Sequence, residues 1–139
     1  MFDVVVIGGT VVDGTGEPGY PADVGVIGEE VRAIGDLARA EARRVIDATG
    51  MVVSPGFIDT HTHSEGALLV DPQHANGLRQ GITTELIGID GNSYAPFKSE
   101  QDLKWMIELN SGLEGSPQLP GTWLSVSDYL AMYDNKVAV

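Results

Sequence analysis

"SPGFIDTHTHSEG", Ser54 to Gly66, sets two histidines one residue apart at the end of an apolar run, in a chain with 3 histidines in all. Side chains at i and i+2 of a strand project from the same face. If Phe57 to His63 is extended, then Asp59, His61 and His63 share one face, and Ile58, Thr60 and Thr62 share the other. The imidazoles then stand about two strand rises apart, roughly 6.5 Å along the backbone, close enough to lean toward one ion. A hydrogen-bonded histidine pair at a strand end satisfies the same spacing, so the surrounding sequence has to separate the two readings.

Downstream of Pro55 the pattern is strand, helix, strand: "FIDTHTH", then a loop, the helix-like "PQHANGLRQG", and a second strand "TTELIGID". A strand, crossover helix and strand make a parallel pair covered by helices. "SEQDLKWMIELN" predicts a further helix, with Ser99 as N-cap and Asp102 in the capping-box position. Leu103, Met106, Ile107 and Asn110 form its inner stripe, which is read as core packing. Residues 111 to 121, "SGLEGSPQLPG", read as a loop, followed by a short helix around "SVSDYLAMYD" and a strand starting at "KVAV".

Upstream, "FDVVVIGG", "TVVDG", "ADVGVIG", "EVRAIG", "RRVIDATG" and "MVVSPG" are β-branched runs punctuated by Gly and Pro. They predict a small antiparallel β unit over residues 1 to about 55, with turns near Gly8-Gly9, Asp13 to Gly19 and Gly28 to Glu30. A phosphate cradle at "GGTVVDGTGEPG" is disfavoured, because no helix pattern and no Lys-Ser/Thr pair follow it. The fold class is therefore α/β, divided into a β unit at 1–55 and an α/β unit at 56–139.

The 139 residues and 42% hydrophobic content suit a folded domain with a modest core. Eight basic against 20 acidic residues give a net charge of -12, which repels a phosphate backbone and argues against a nucleic-acid partner. "MFDVVVIGG" lacks a basic n-region, and its apolar run is too short for a signal peptide or a spanning helix. A soluble, cytoplasmic protein without a membrane partner is the expectation. The absence of cysteine excludes disulfides and thiolate ligands.

"GGTVVDGTGEPGYPADVGVIGEEVRAIGDL", "RRVIDATGMVVSPGFIDTHTH" and "GITTELIGIDGNSYAP" together resemble the N-terminal part of the amidohydrolase superfamily, in its N-acyl-D-amino-acid deacylase (D-aminoacylase) branch. The resemblance runs nearly end to end. It implies that the hairpins belong to a small β-sandwich and that the His-x-His motif closes the first strand of a metal-dependent (β/α)8 barrel, incomplete in this chain. It further implies that His61 and His63 are metal ligands at the C-terminal mouth, where barrel active sites sit.

The deacylases carry "GNCG" at the end of the second strand, with a cysteine that bridges the metal site, whereas this chain reads "GIDG" and has Asp90 there. Strand parity with Thr84, Leu86 and Gly88 allows Asp90 to look inward. The implied cofactor is one or two divalent ions, zinc in the first instance. A carboxylate is a harder ligand than a thiolate, which relaxes that preference and admits manganese, cobalt or iron. The competing reading of Asp90 is an Asx turn at "DGNS". Asp59 reads as a structural hydrogen-bonding carboxylate, and His74, in the crossover helix, as a satisfied or surface residue. Ser64, Glu65, Asn92, Ser93 and Tyr94 follow the two strand ends, where barrel loops meet substrate, and are candidates for substrate contacts.

The chemistry implied by the resemblance is metal-dependent hydrolysis of an amide, as deacylation of an N-acyl (D-)amino acid or a related small-molecule amide. No catalytic acid or base falls within this chain. The family's general base and further histidine ligands belong to later strands, and a barrel needs about 200 residues at the least. A second polypeptide carrying the rest of the barrel is accordingly the expected partner. Two other readings stand beside this one: a dihydroorotase- or hydantoinase-like cyclic amidase, which shares the His-x-His strand, and a non-catalytic assembly module.

Overall fold

The computed structural model describes residues 1–115, 117–134 and 136–138. The chain divides into two compact units, Met1–Pro55 and Gly56–Val139. No helix among the described residues is long and apolar enough to cross a membrane.

The first unit is a five-stranded sheet of β1 (Phe2–Val11), β2 (Tyr20–Ile27), β3 (Glu30–Gly35), β4 (Ala42–Asp47) and β5 (Val52–Val53). The strand order is β3-β2-β1-β4, and β5 also pairs with β1. The two hairpins β1-β2 and β2-β3 are antiparallel. Their connections fall at Asp13 to Gly19 and at Gly28 and Glu29, where the glycines predict them.

Two expectations for this unit are corrected. The sheet is mixed, because β4 and β5 run parallel to β1, β4 along its first half (Phe2↔Ala42 to Ile7↔Asp47) and β5 along its end (Thr10↔Val52, Val11↔Val53). Gly8-Gly9 is not a turn but an irregularity inside β1, where the pairing with β2 shifts register between Val6 and Gly9. Gly8 has φ +75, open to glycine and strained for other residues, and its N–H is taken by Asp23 Oδ1 at 2.9 Å. Asp23 Oδ2 accepts from Leu37 N at 2.9 Å, so one carboxylate ties the bulge to the chain leaving β3. Val5, Val11 and Val24 are buried along β1 and β2, each burial worth about 1.5–3 kcal/mol.

In the second unit β6 (Phe57–Asp59) runs parallel to β7 (Ile82–Glu85), and the helices α1 (Glu65–Val70) and α2 (Ala75–Arg79) lie between them in sequence. This is the strand, helix, strand unit read from the pattern. Gly56 permits the close approach of the two strands, since a Cβ there would collide with the Thr83 side chain. The strands are shorter than the sequence suggests. β6 ends at Asp59, so His61 and His63 follow the strand instead of belonging to it, and β7 ends at Glu85, ahead of a 3-10 turn at Ile89–Gly91 that carries Asp90.

The helix α3 (Glu100–Leu109) opens as expected, with Ser99 Oγ accepting from Asp102 N and donating to the Asp102 carboxylate at 2.8 Å. A short α4 (Ser111–Glu114) occupies part of the stretch read as loop, and α5 (Val126–Ala131) repeats the cap with Ser125 and Asp128. Leu103 is buried with Tyr94, Ala95, Trp123 and Tyr129, and Met106 and Ile107 pack against that group. Trp123 Nε1 donates to Tyr94 O at 2.7 Å, and its ring stacks on Tyr129 with centroids 5.2 Å apart. The strand expected at "KVAV" does not form over Lys136–Ala138, and Val139 lies outside the described residues.

Candidate metal centre

The two histidines reach their position through a turn. Asp59 Oδ1 accepts from His61 N at 3.0 Å, which folds the chain away from the end of β6 and gives Asp59 the structural role read for it. The ladder continues one step past β7, where Leu86 N donates to Asp59 O at 2.8 Å. Gly88 and Asp90 then both take positive φ, 77 and 56. Asp is among the few residues that tolerate this left-handed region, at a cost of roughly 1–2 kcal/mol that marks functional sites when it is retained. Gly88 N is fixed by Glu65 Oε1 at 2.6 Å, which anchors the turn that presents Asp90.

Asp90 therefore meets the histidines by a turn and not by strand parity. Its Oδ2 lies 3.0 Å from His61 Nε2 and 3.6 Å from His63 Nε2. The two rings stand 6.0 Å apart, edge to face. Donors bound tetrahedrally at about 2.0–2.2 Å from a zinc ion are separated from one another by about 3.3–3.6 Å. The observed pair of distances brackets that spacing, and two imidazoles with one carboxylate are a donor set suited to a divalent ion. His61 and Asp90 are 68% and 57% exposed, so one side of the cluster is open to further ligands, while His63 is 17% exposed and backs onto protein.

The five residues expected at the substrate side are placed differently. Ser64, Glu65 and Tyr94 are buried, and Asn92 and Ser93 are half-buried. Ser64 Oγ donates to Glu85 Oε2, Glu65 holds the Gly88 turn, and Tyr94 belongs to the apolar core. Ser93 Oγ donates to Ala95 O at 2.7 Å, and Asn92 N to Ile89 O at 2.9 Å. Their position after a strand end suggests an open loop; the packing of α1 and of the core instead buries Ser64, Glu65 and Tyr94 and leaves Asn92 and Ser93 half-buried. His74 is satisfied, as read, with Nε2 2.7 Å from Glu85 Oε1, although it caps α2 instead of lying within it.

Glu85 and Glu114 are not singled out by motif or spacing. Glu85 leaves one signal, since an acid inside the β-branched run "TTELIG" needs a partner once it is buried, and it has His74 and Ser64. Glu114 lies in a stretch that reads as loop. Its carboxyl is pushed above the usual range, first by burial and then by the nearby charge of Glu65. Burial likewise pushes the Tyr94 hydroxyl up to about 12, helped by Glu114.

An amidohydrolase family profile matches residues 44–136. The D-aminoacylase of Alcaligenes xylosoxydans xylosoxydans is 46% identical over 95 residues, which are 68% of this chain and 20% of that protein. The N-acyl-D-aspartate deacylase of the same organism is 43% identical over 99 residues, 71% of this chain and 20% of that protein. A solved D-aminoacylase with a binuclear metal centre superposes with a TM-score of 0.74 at 41% identity, covering 95% of this chain and 27% of that one. The N-acyl-D-glutamate deacylase from Bordetella bronchiseptica, solved with zinc and a phosphonate inhibitor, gives 0.74 at 33% identity and covers 97% of this chain and 27% of that one. The chain thus spans about a fifth of the length of the curated relatives it matches. With a profile match over most of its length and these relatives alongside it, the chain belongs to the amidohydrolase family.

Proposed function

We propose that His61, His63 and Asp90 are ligands of a divalent metal ion, zinc in the first instance, in an enzyme that hydrolyses the amide of an N-acyl amino acid. The observation that carries this reading is the convergence of three donor atoms on one point from two separate strand ends. The D-aminoacylase and N-acyl-D-glutamate deacylase relatives, with their binuclear centre and zinc, support it and favour a D-amino-acid product.

A divalent ion bound there would polarise an amide carbonyl and bring the pKa of water toward neutrality. The chain's own residues do the positioning. His63, backed by protein, fixes the inner side of the cluster, and the exposed His61 and Asp90 face the side from which an amide would approach. Asp90 stands where the deacylases carry a cysteine, and its Oδ2, near both imidazole nitrogens, would hold the same ion that they hold. The harder donor relaxes the preference for zinc and admits manganese, cobalt or iron.

The proton-transferring base and the remaining strands are taken to lie outside these 139 residues. β6 and β7 form a two-stranded parallel sheet in which Phe57 and Ile58 are 60% and 66% exposed, as expected of strands that continue into a larger parallel sheet. In this reading Gly56–Val139 is the first part of a (β/α)8 barrel, Met1–Pro55 is part of a β-sandwich, and further polypeptide completes both.

The test is replacement of His61 and His63 by Ala, singly and together, in the assembled enzyme. Bound metal and hydrolysis of N-acyl-D-amino acids should fall together while circular dichroism is unchanged. Full metal content in the double variant would refute the assignment.

A further inference from the structure

Behind the metal cluster lies a second group of polar side chains whose buried atoms lack partners among the described residues: His63 Nδ1, Glu65 Oε2, Glu114 Oε1, Tyr94 Oη and Asn110 Nδ2. Two carboxylates and one imidazole dominate it, with one ligating atom each of His63, Glu65 and Glu114 all within 4.8 Å of one another. Glu65 is fully buried. Both acids are anchored by one oxygen and free at the other. Glu65 Oε1 accepts from Gly88 N at 2.6 Å, and Glu114 Oε2 accepts from Gly66 N at 3.3 Å, so each second oxygen has no backbone N–H to take. His63 faces the opposite way with its other nitrogen, since its Nε2 lies 3.6 Å from Asp90.

A buried ring nitrogen without a partner is costly, and a histidine that ligates through one nitrogen has the other fixed by a hydrogen bond, often to a carboxylate. The unpartnered atoms are complementary. His63 Nδ1–H, the Tyr94 hydroxyl and the Asn110 amide are donors, and Glu65 Oε2 and Glu114 Oε1 are acceptors. Glu65 is further tied from behind, because its backbone oxygen accepts from the Tyr133 hydroxyl at 3.1 Å. That hydroxyl has one proton, so Tyr129, 2.7 Å away, donates to it in turn.

We propose that Glu65, supported by Glu114, is a positioning residue that accepts the Nδ1–H of His63 and so directs Nε2 toward Asp90 and the metal. The inference rests on the metal reading given above. Glu65 then acts twice on the same centre. Through Oε2 it sets the tautomer and aim of one ligand, and through Oε1 it holds the Gly88 turn that carries another, Asp90. Glu114 reaches the same point from α4, far along the chain, and gives the pair a second support from the Tyr94 side.

The test uses the assembled enzyme and zinc as the probe. Glu65→Gln keeps the shape of the side chain and removes the charge; Glu114→Gln does the same for its neighbour. Zinc affinity, read by competition with a chelator, should weaken about 10–100-fold in Glu65→Gln, with the number of bound ions and the circular dichroism unchanged in both variants. Independently of any variant, the nitrogen shifts of 15N-labelled His63 should report a protonated Nδ1. Unchanged zinc affinity in Glu65→Gln, or a His63 protonated at Nε2, would overturn the proposal. So would loss of a whole ion with the affinity of the remaining one intact, since that would make the acids ligands in their own right. Loss of metal in His61→Ala and His63→Ala, with none of these effects, would leave the metal reading standing and remove only the inference.

Discussion

Asp90→Asn separates the charge of the proposed ligand from its backbone. Asn tolerates the positive φ of 56 at this position as Asp does, so the 3-10 turn at Ile89–Gly91 should form unchanged. Ala would add a left-handed strain of roughly 1–2 kcal/mol and confuse the result. The size of the effect follows from the exposure of Asp90, 57%, which calls for a dielectric close to that of water. A single negative charge about 2.1 Å from a doubly charged ion in that medium contributes about 4 kcal/mol, or close to three decades in affinity. The amide oxygen of Asn keeps part of this as a dipole, so a loss of about 100- to 1,000-fold is expected. The assay is zinc competition against a chelator at fixed ionic strength, with circular dichroism as the control for folding. An affinity within about threefold of the parent would refute the placing of Asp90 in the metal centre and return it to a turn former.

Two further outcomes are expected away from the ligands. Trp123→Phe removes the donor to Tyr94 O and leaves that buried carbonyl unpartnered, so the assembled protein should lose about 2–3 kcal/mol in urea unfolding; a loss below about 0.5 kcal/mol would mean the bond carries no weight. Tyr94, pushed up to about 12 against about 10 when unfolded, favours its neutral form in the folded state. Its contribution to stability is therefore fully present below about pH 10 and is lost as pH rises toward 12. Ultraviolet titration should lose one late-ionising phenol in Tyr94→Phe, and an unchanged titration curve in that variant would contradict the assignment.

Sequence was most legible where local chemistry decides. Ser99 and Asp102 announce the start of α3, and Gly28 announces the β2-β3 turn, because caps and left-handed turns depend on residues a few places apart. The parallel pairing of β6 and β7 follows from the helix-like stretch between them. The parallel addition of β4 and β5 to β1 was not legible, since hairpin signals fix neighbours in the chain and say nothing of strands that return from a distance. At the metal cluster the residue types were legible and the geometry was not. Strand parity assigns His61, His63 and Asp90 to one face, but Asp59 and the glycines around Asp90 end both strands early, and turns bring the three together. Ser64, Glu65 and Tyr94 read as loop residues open to substrate, yet burial claims them, because what covers them, Glu85 from β7 and Glu114 and Trp123 from farther on, is distant in sequence.

The most direct test of the metal centre is an anomalous difference map from crystals of the assembled enzyme prepared with zinc and measured across the zinc absorption edge. The expected result is a peak between His61 Nε2, His63 Nε2 and Asp90 Oδ2, about 2.0–2.2 Å from each. A stoichiometric ion bound elsewhere with none at this cluster, in an enzyme that hydrolyses N-acyl-D-amino acids, would contradict the account.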